Sequence, residues 1–357
     1  MWKILLGFSL HRLVLLVVAL GSVNYSINQK YPSNSKFPRI GNTSVLLAKF
    51  GERLKGNSEF STLERHSQVA VGRVFIESGR PFYWIARCWL EISPMGIVST
   101  MLFVSNVFFL LFLFETHILL TRFVMLDTAL WGVLILMLFP YSYEVSLGST
   151  LSLTLYLSAV ALRRALDNQW IFTGISMGLI ALDDWIVLGW LPLLVFLFWY
   201  YQKQVPLIIV LKRTIFFTLP IVVAMIYRWE WYSHALTSMG SSALVSLFRD
   251  PSQWLGGIES WKQLAQAAPI ISLLLFILGT ILCLVSHMTW LSRIIPAYCV
   301  IAVMLFSNVQ TISVRLTIAG VALVGIAHVS SGPLAQIISA LLTLVSCVNI
   351  VRIFSGA

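Results

Sequence analysis

Charged side chains are scarce in this sequence, and acidic ones are the scarcest. Of its 357 residues 11% are charged, and Asp and Glu together number 14. Because soluble domains carry about 25% charged residues, this composition excludes an ordinary soluble domain. The hydrophobic share is 58% and includes 22 Phe and 13 Trp, which is more apolar side chain than a water-soluble fold can cover. The chain is therefore predicted to be an integral membrane protein.

Cysteine is also rare, and the common motifs of metal binding and nucleotide binding are missing. The four cysteines are scattered and form no Cys-x-x-Cys pair, so the sequence predicts neither a disulfide framework nor a zinc site. It contains no glycine-rich phosphate loop and no metalloprotease helix motif. These absences exclude P-loop nucleotide hydrolases, zinc proteases and disulfide-bonded secreted modules, and no metal ligands are predicted.

Long apolar runs fill most of the chain instead. A hydrocarbon core about 30 Å thick needs about 20 apolar residues for one helical crossing. The run at 1–23 is predicted to be a retained first span rather than a cleaved signal, because it is long and contains His11 and Arg12. Further candidate spans follow at 94–114, 124–139, 146–162, 170–182, 186–200, 208–227, 269–286, 289–306, 311–328 and 334–354.

The predicted fold class is all-α, a polytopic membrane protein with about 11 transmembrane helices. Residues 1–23 form the first transmembrane helix, and 24–93 form a large exterior or lumenal loop. The mixture of aromatic, aliphatic and Arg residues near the end of that loop favours helices that lie along the membrane surface. Residues 94–357 form the transmembrane bundle, interrupted by a second exterior loop at 228–268.

Lys and Arg in the short loops predict the orientation. If the spans alternate, the basic residues of the short loops all fall on one side: Lys3, Arg122, Arg163, Arg164, Lys203, Lys212, Arg213 and Arg293. The opposite short turns contain no Lys or Arg. The N-terminus is therefore predicted to be cytoplasmic, in an endoplasmic reticulum or a bacterial or archaeal plasma membrane. Contacts with membrane lipids account for the net charge of +10, and no nucleic-acid partner is predicted.

The stretch from 83 to 200 resembles a known family of membrane enzymes. Its matching pieces are Tyr83-Trp-Ile-Ala-Arg, Ser105-Asn106, Leu138-Phe-Pro140-Tyr-Ser-Tyr, Trp170-Ile-Phe-Thr-Gly174 and Ile180-Ala-Leu182, followed later by Ser313-Val-Arg315-Leu. These pieces are similar to the GT-C class of membrane glycosyltransferases. Within that class the chain most resembles the family of the GPI mannosyltransferase that adds the second mannose, together with its prokaryotic relatives.

The resemblance implies a mannosyltransferase-like enzyme, a hexosyltransferase that uses a polyprenyl-phosphate-linked sugar as donor. It would move the sugar to an acceptor on the exterior or lumenal face. The expected partners are membrane lipids and the lipid-linked donor, and a further membrane protein if the chain is a non-catalytic subunit. The residues leave open whether a divalent metal ion is needed.

The polar signature departs from the family pattern. The family has a Trp-Asp pair in the first exterior loop, whereas this chain offers Glu64 without the Trp. Tyr143-Glu144 replaces a Tyr-x-Glu pattern, and Asp183-Asp184 stands where relatives have an Arg. Two hypotheses therefore stay open, a divergent enzyme and a catalytically silent membrane subunit. A transporter is a third, favoured only by the interruption at Asp183-Asp184 between two short spans.

Transfer of a sugar from a lipid phosphate defines the candidate site residues. A carboxylate must take the acceptor proton, and cations must hold the leaving phosphate. Glu64, Asp183, Asp184 and Glu144 are the candidate catalytic carboxylates, predicted to converge on one cavity, and Arg315 is the candidate for binding the donor phosphate. The structural alternatives are a hydrated turn for the Asp pair, an exposed turn for Glu144 and an interfacial, snorkelling side chain for Arg315.

Three further charged or titratable residues receive structural predictions. His11 and Arg12 lie within the first predicted span, where polar groups are costly, so they are expected to face the bundle interior in a structural ion pair. Glu115 is interpreted as an ordinary charge that flanks a span near the cytoplasmic boundary.

Overall fold

The computed structural model describes residues 2–14, 80–93, 97–138, 142–145, 150–184, 187–203 and 205–229, with isolated positions at 17 and between 277 and 305. Residues 2–14 are helical. Eight further helices follow: α1 Pro81–Ile92, α2 Ile97–Leu120, α3 Leu126–Leu138, α4 Ser142–Val145, α5 Leu151–Leu166, α6 Trp170–Asp183, α7 Val187–Gln202 and α8 Leu207–Tyr227. Throughout these ranges the regular structure is helical, which confirms the all-α prediction for them.

Six of the helices lie at six of the predicted apolar runs, from 94–114 to 208–227. The largest difference is at the end of α2, which continues to Leu120. The predicted total of about 11 spans stays a prediction, because the late spans, most of the first exterior loop and the second one lie outside the described residues.

Glu115 lies in the added part of α2 and is not a simple flanking charge. Arg163 of α5 donates from Nη2 to Glu115 Oε1 at 3.1 Å, and its Nε lies 2.6 Å from Oε2. This two-point ion pair compensates a carboxylate that would otherwise be desolvated inside the bundle. The pair therefore allows α2 to stay helical beyond the predicted boundary.

Contacts between helix ends show which ends lie on the same side of the bundle. Arg122, just after α2, pairs with Asp167, just after α5, and Arg213 of α8 donates to Gln202 at the end of α7 at 2.9 Å. At the other end of the bundle, Arg228 after α8 donates to the Leu182 carbonyl of α6 at 2.8 Å. The predicted basic positions at 122, 163, 203 and 213 therefore share one end of the bundle.

The α6–α8 pair has the most extensive contact in the described bundle, and two glycines make it close. A Cβ added at Gly174 would lie 2.5 Å from the Phe216 carbonyl oxygen, and one added at Gly178 would lie 2.9 Å from the Pro220 carbonyl oxygen. Pro220 has no N–H to offer to the Phe216 carbonyl one turn earlier, so this carbonyl is turned toward the glycine surface. Small residues at i and i+4 are typical of helices that pack closely in membranes.

Two of the described helices are long and apolar enough to cross a membrane, at Ser99–Leu120 and Leu207–Tyr227. α8 buries Phe217, Ile221 and Ala224 and exposes most of its other large apolar side chains. A continuous exposed apolar face of this size is unfavourable in water and normal in lipid. Helices α3, α6 and α7 are apolar but shorter.

The N-terminal segment approaches α2 and α3 and brings His11 and Arg12 inside. His11 is 5% exposed, which confirms its predicted interior position. The Arg12 guanidinium lies 5.0 Å from the Phe8 ring centre and 5.1 Å from that of Phe109. Within the described part of the chain no carboxylate pairs with Arg12, whose described contacts are these cation–π interactions, and the predicted ion pair stays a prediction.

Candidate functional site

The site is built around the C-terminal end of α6. The helix ends at Asp183, and Asp184 is in an extended conformation with its N–H bonded to the Ile180 carbonyl at 2.7 Å. The relative exposure is 2% for Asp183 and 9% for Asp184. Burial of both side chains favours an interior role over the hydrated turn of the alternative interpretation, since a turn residue in water keeps its carboxylate exposed.

Thr154 of α5 reaches Asp183 across the helix interface. Its Oγ1 donates to Asp183 Oδ2 at 2.9 Å, and Thr154 is fully buried. α5 can carry this hydroxyl inward because its buried face mixes small polar residues, such as Ser152 and Ser158, with Ala and Leu. A buried carboxylate needs such a donor, because burial without hydrogen bonds is costly.

The Ser105-Asn106 pair of α2 lies at the same depth. Two contacts join α2 to α5: the rings of Phe108 and Tyr156 lie 5.9 Å apart, and Arg163 donates a hydrogen bond to Glu115. In each contact the two residues are 48 positions apart in the chain. α2 and α5 therefore run parallel in register, which puts Asn106 level with Thr154. Asn106 Nδ2 itself donates to the Leu102 carbonyl of its own helix at 2.7 Å. Asn106 of α2, Thr154 of α5 and Asp183 of α6 thus form one polar layer across the bundle.

An apolar groove of about 360 Å³ runs beside this layer on the other face of α6. Its walls are Ile175, Gly178, Leu179 and Leu182 of α6, Pro220, Val223, Ala224 and Tyr227 of α8, and Trp84 of α1. The groove extends to Leu182, the residue before Asp183, and the Leu182 carbonyl accepts a hydrogen bond from the Arg228 guanidinium. The Asp183 carboxylate itself is turned to α5.

The other predicted site residues are placed only in part. Glu144 lies in the short helix α4, which Ser142 fastens to α3 by donating to the Met137 carbonyl; the Glu144 side chain is outside the described residues. Glu64 and Arg315 lie wholly outside them. The structure therefore buries Asp183 and Asp184, which are neighbours in the sequence, and their convergence with Glu64, Glu144 and Arg315 stays a prediction. In the described ranges no group of three or more His, Cys, Asp or Glu could hold a metal ion.

Sequence analysis missed Thr154, Arg228 and the groove. The available signal for Thr154 was a cluster of small hydroxyl residues in an otherwise apolar run. The signal for the groove was a pair of glycines four residues apart, at Gly174 and Gly178. Neither pattern predicts which helix packs against these residues, and the role of Thr154 and of the two glycines depends on that neighbouring helix.

No protein-family model, no curated protein and no solved structure matches this chain. The resemblance to membrane mannosyltransferases is therefore an inference from sequence patterns alone, and the function has to be argued from the geometry of the site.

Proposed function

We propose that this chain is a multi-pass membrane glycosyltransferase that moves a sugar from a polyprenyl-phosphate carrier to an acceptor at the exterior or lumenal face. One observation carries the proposal: Leu182, the last residue of α6 that lines the apolar groove beside α8, directly precedes the buried Asp183 and Asp184 in sequence. A lipid-linked sugar combines an apolar chain, which suits the groove, with a polar reacting group, which suits the carboxylates.

The multi-pass arrangement is supported by the alternation of the helices and by the charges at their ends. Arg122, Arg163 and Arg213 share one end of the described bundle, and Asp183 and Asp184 lie at the other. Under the positive-inside rule the first end is cytoplasmic. The candidate site then opens to the exterior or lumenal side.

Asp183 is proposed as the base because its carboxylate is already fixed by a hydrogen bond from a second helix. In the reaction the acceptor hydroxyl oxygen bonds to the anomeric carbon of the sugar, and the bond from that carbon to the phosphate oxygen breaks. The carboxylate takes the hydroxyl proton, and polyprenyl phosphate leaves with the electron pair. Exclusion of water by the buried site would limit hydrolysis of the donor.

The groove is the proposed binding site for the first part of the prenyl chain. Its walls are almost entirely apolar, and α8 exposes apolar side chains to the surrounding lipid, so a chain could enter from the membrane. Arg228 donates to the carbonyl of Leu182, which lines the groove, and its positive charge would favour a phosphate at this end. Arg315 is the second candidate for that contact.

The test is transfer of labelled mannose from polyprenyl-phosphate mannose by the purified chain in lipid nanodiscs. Asp183→Asn keeps the size of the side chain and removes the base, so we expect turnover to fall at least about 100-fold. Asp127→Asn is the matched control, because Asp127 is an exposed carboxylate at the opposite end of the bundle, and it should transfer sugar at the wild-type rate. Wild-type turnover in Asp183→Asn would contradict the role of Asp183.

A catalytically silent membrane subunit is the second candidate, and one observation favours it. The Asp183 carboxylate is 2% exposed and already bonded to Thr154, as expected of a group that only joins α5 to α6. This candidate predicts that the chain depends on a membrane partner and that Asp183→Asn lowers stability without changing any transfer. A monodisperse preparation of the chain alone that turns over the lipid-linked donor would contradict it.

A further inference from the structure

We infer that Thr154 is the positioning residue of this site, and that its hydroxyl holds the Asp183 carboxylate in the orientation that accepts the proton. The inference rests on the proposed function, because it assigns Thr154 a role in the same reaction. It starts from the bond between Thr154 Oγ1 and Asp183 Oδ2, at 2.9 Å and between two residues 29 positions apart.

Thr154 uses its hydroxyl differently from other helical hydroxyls of this chain. Thr173, Thr214 and Thr218 each donate to the carbonyl four residues earlier in their own helix, at 2.9 to 3.1 Å. This back-bonding is the usual way in which Thr satisfies its donor inside a helix. Thr154 lies one turn after Thr150 and could do the same, but its hydroxyl is directed to α6. The hydrogen bond to Asp183 therefore replaces a readily available local one.

The surroundings of Thr154 hold its hydroxyl rigidly. The residue is fully buried in α5, which packs extensively on both α2 and α6. Its branched Cβ leaves few side-chain rotamers in a helix, and Ser158 Oγ donates to the Thr154 carbonyl at 2.7 Å. The donor is thus in place before a substrate arrives, which is the condition for a preorganised catalytic group.

The bond has a chemical consequence for Asp183. A hydroxyl that donates to one carboxylate oxygen fixes the plane of the whole group and stabilises its charge, and both effects are larger in a site shielded from water. Without the donor, one of the contacts that restrict rotation of the carboxylate is lost. Rotation would slow the chemical step and leave binding of the lipid-linked donor unchanged.

The experiment compares kcat and KM for polyprenyl-phosphate mannose in a set of variants. Thr154→Val removes the hydroxyl at nearly constant shape, and we expect kcat to fall about tenfold or more with KM within about twofold. Thr154→Ser keeps the hydroxyl and should retain most of kcat. Thr218→Val is the matched control, since Thr218 donates only to its own helix in α8, and it should behave as wild type.

A double-mutant cycle separates positioning from a general loss of structure. Thr154→Val in an Asp183→Asn background should be no slower than Asp183→Asn alone, because there is no longer a base to orient. If Thr154→Val does not fold, Thr154→Ala is measured in the same way, with thermal unfolding in detergent as the check on folding.

Each outcome decides between the inference and the proposed function. Wild-type kcat in Thr154→Val beside a slow Asp183→Asn overturns the positioning role alone. A Thr154→Ser variant as slow as Thr154→Val also overturns it, because the hydroxyl is present. Full activity in Asp183→Asn removes the base and the inference together, and a wild-type protein that transfers no sugar contradicts the proposed function.

Discussion

Arg163 and Glu115 form the best-defined charged contact of the bundle at the scale of single residues. The two side chains are 16% and 15% exposed, and two nitrogen–oxygen pairs join them. Loss of one member would leave the other charge desolvated between α2 and α5. The cost of such an orphan charge is typically larger than the net stabilisation by the intact pair.

We therefore expect Glu115→Gln to lower the free energy of unfolding by about 2–3 kcal/mol. Thermal unfolding in detergent, followed by the loss of helical circular dichroism, measures the change. Asp127→Asn is the control, because this exposed carboxylate should cost little. A double variant, Glu115→Leu with Arg163→Met, should recover part of the loss by removing both charges. Equal stability of Glu115→Gln and wild type would mean that the pair is hydrated.

The packing of α6 on α8 is the decisive contact at the scale of helices. Gly174 and Gly178 bring the α6 backbone against the carbonyls of Phe216 and Pro220. Phe198, Phe217 and Trp170 complete the contact, with the first two rings stacked at 5.9 Å. Because the opposing atoms belong to backbone, they cannot move aside as a side chain can.

A methyl group at Gly174 should therefore force the two helices apart. We expect Gly174→Ala to destabilise the protein by about 1–3 kcal/mol, although Ala is the better helix former. Gly7→Ala is the matched control, since its added carbon would meet only the flexible ends of Leu134 and Met137, at 3.2 and 3.7 Å. Comparison of the two melting temperatures tests the explanation. Equal shifts in both variants would contradict it.

Helix positions were predictable from the sequence, and helix partners were not. Apolar runs located α2, α3 and α5–α8 because a membrane-spanning helix must be apolar along its length. The end of α2 was missed because Glu115 looks like a boundary until Arg163 is known to lie beside it. α1 was predicted as a surface helix, but it also packs on α2 through Trp89 and Phe103, whose rings stack at 4.7 Å.

In the candidate site, too, the residues were predictable from the sequence and their partners were not. Asp183-Asp184 was visible in the sequence as a charged interruption of an apolar region. The bond to Thr154, 29 positions earlier, and the groove between α6 and α8 depend on which helices are neighbours, and local sequence patterns carry no information on that. Glu64 and Arg315 are the parts of the prediction that lie outside the described residues.

At the scale of the whole molecule, the described helices form a bundle with basic residues at one end and the buried Asp183 and Asp184 at the other. The exposed apolar face of α8 and the groove beside α6 are the route that the proposed function assigns to the lipid chain. In the proposed reaction the membrane would supply the donor laterally, and the acceptor would arrive from the exterior or lumenal side.

The central claim is that the groove and the acidic pair together bind a lipid-linked sugar. The most direct test is a density map of the chain in lipid nanodiscs that contain polyprenyl-phosphate mannose. The account predicts a prenyl chain between α6 and α8, a phosphate near Arg228 and the sugar within reach of Asp183. A carrier bound elsewhere, or a groove filled by the chain's own side chains or by a partner helix, would contradict it.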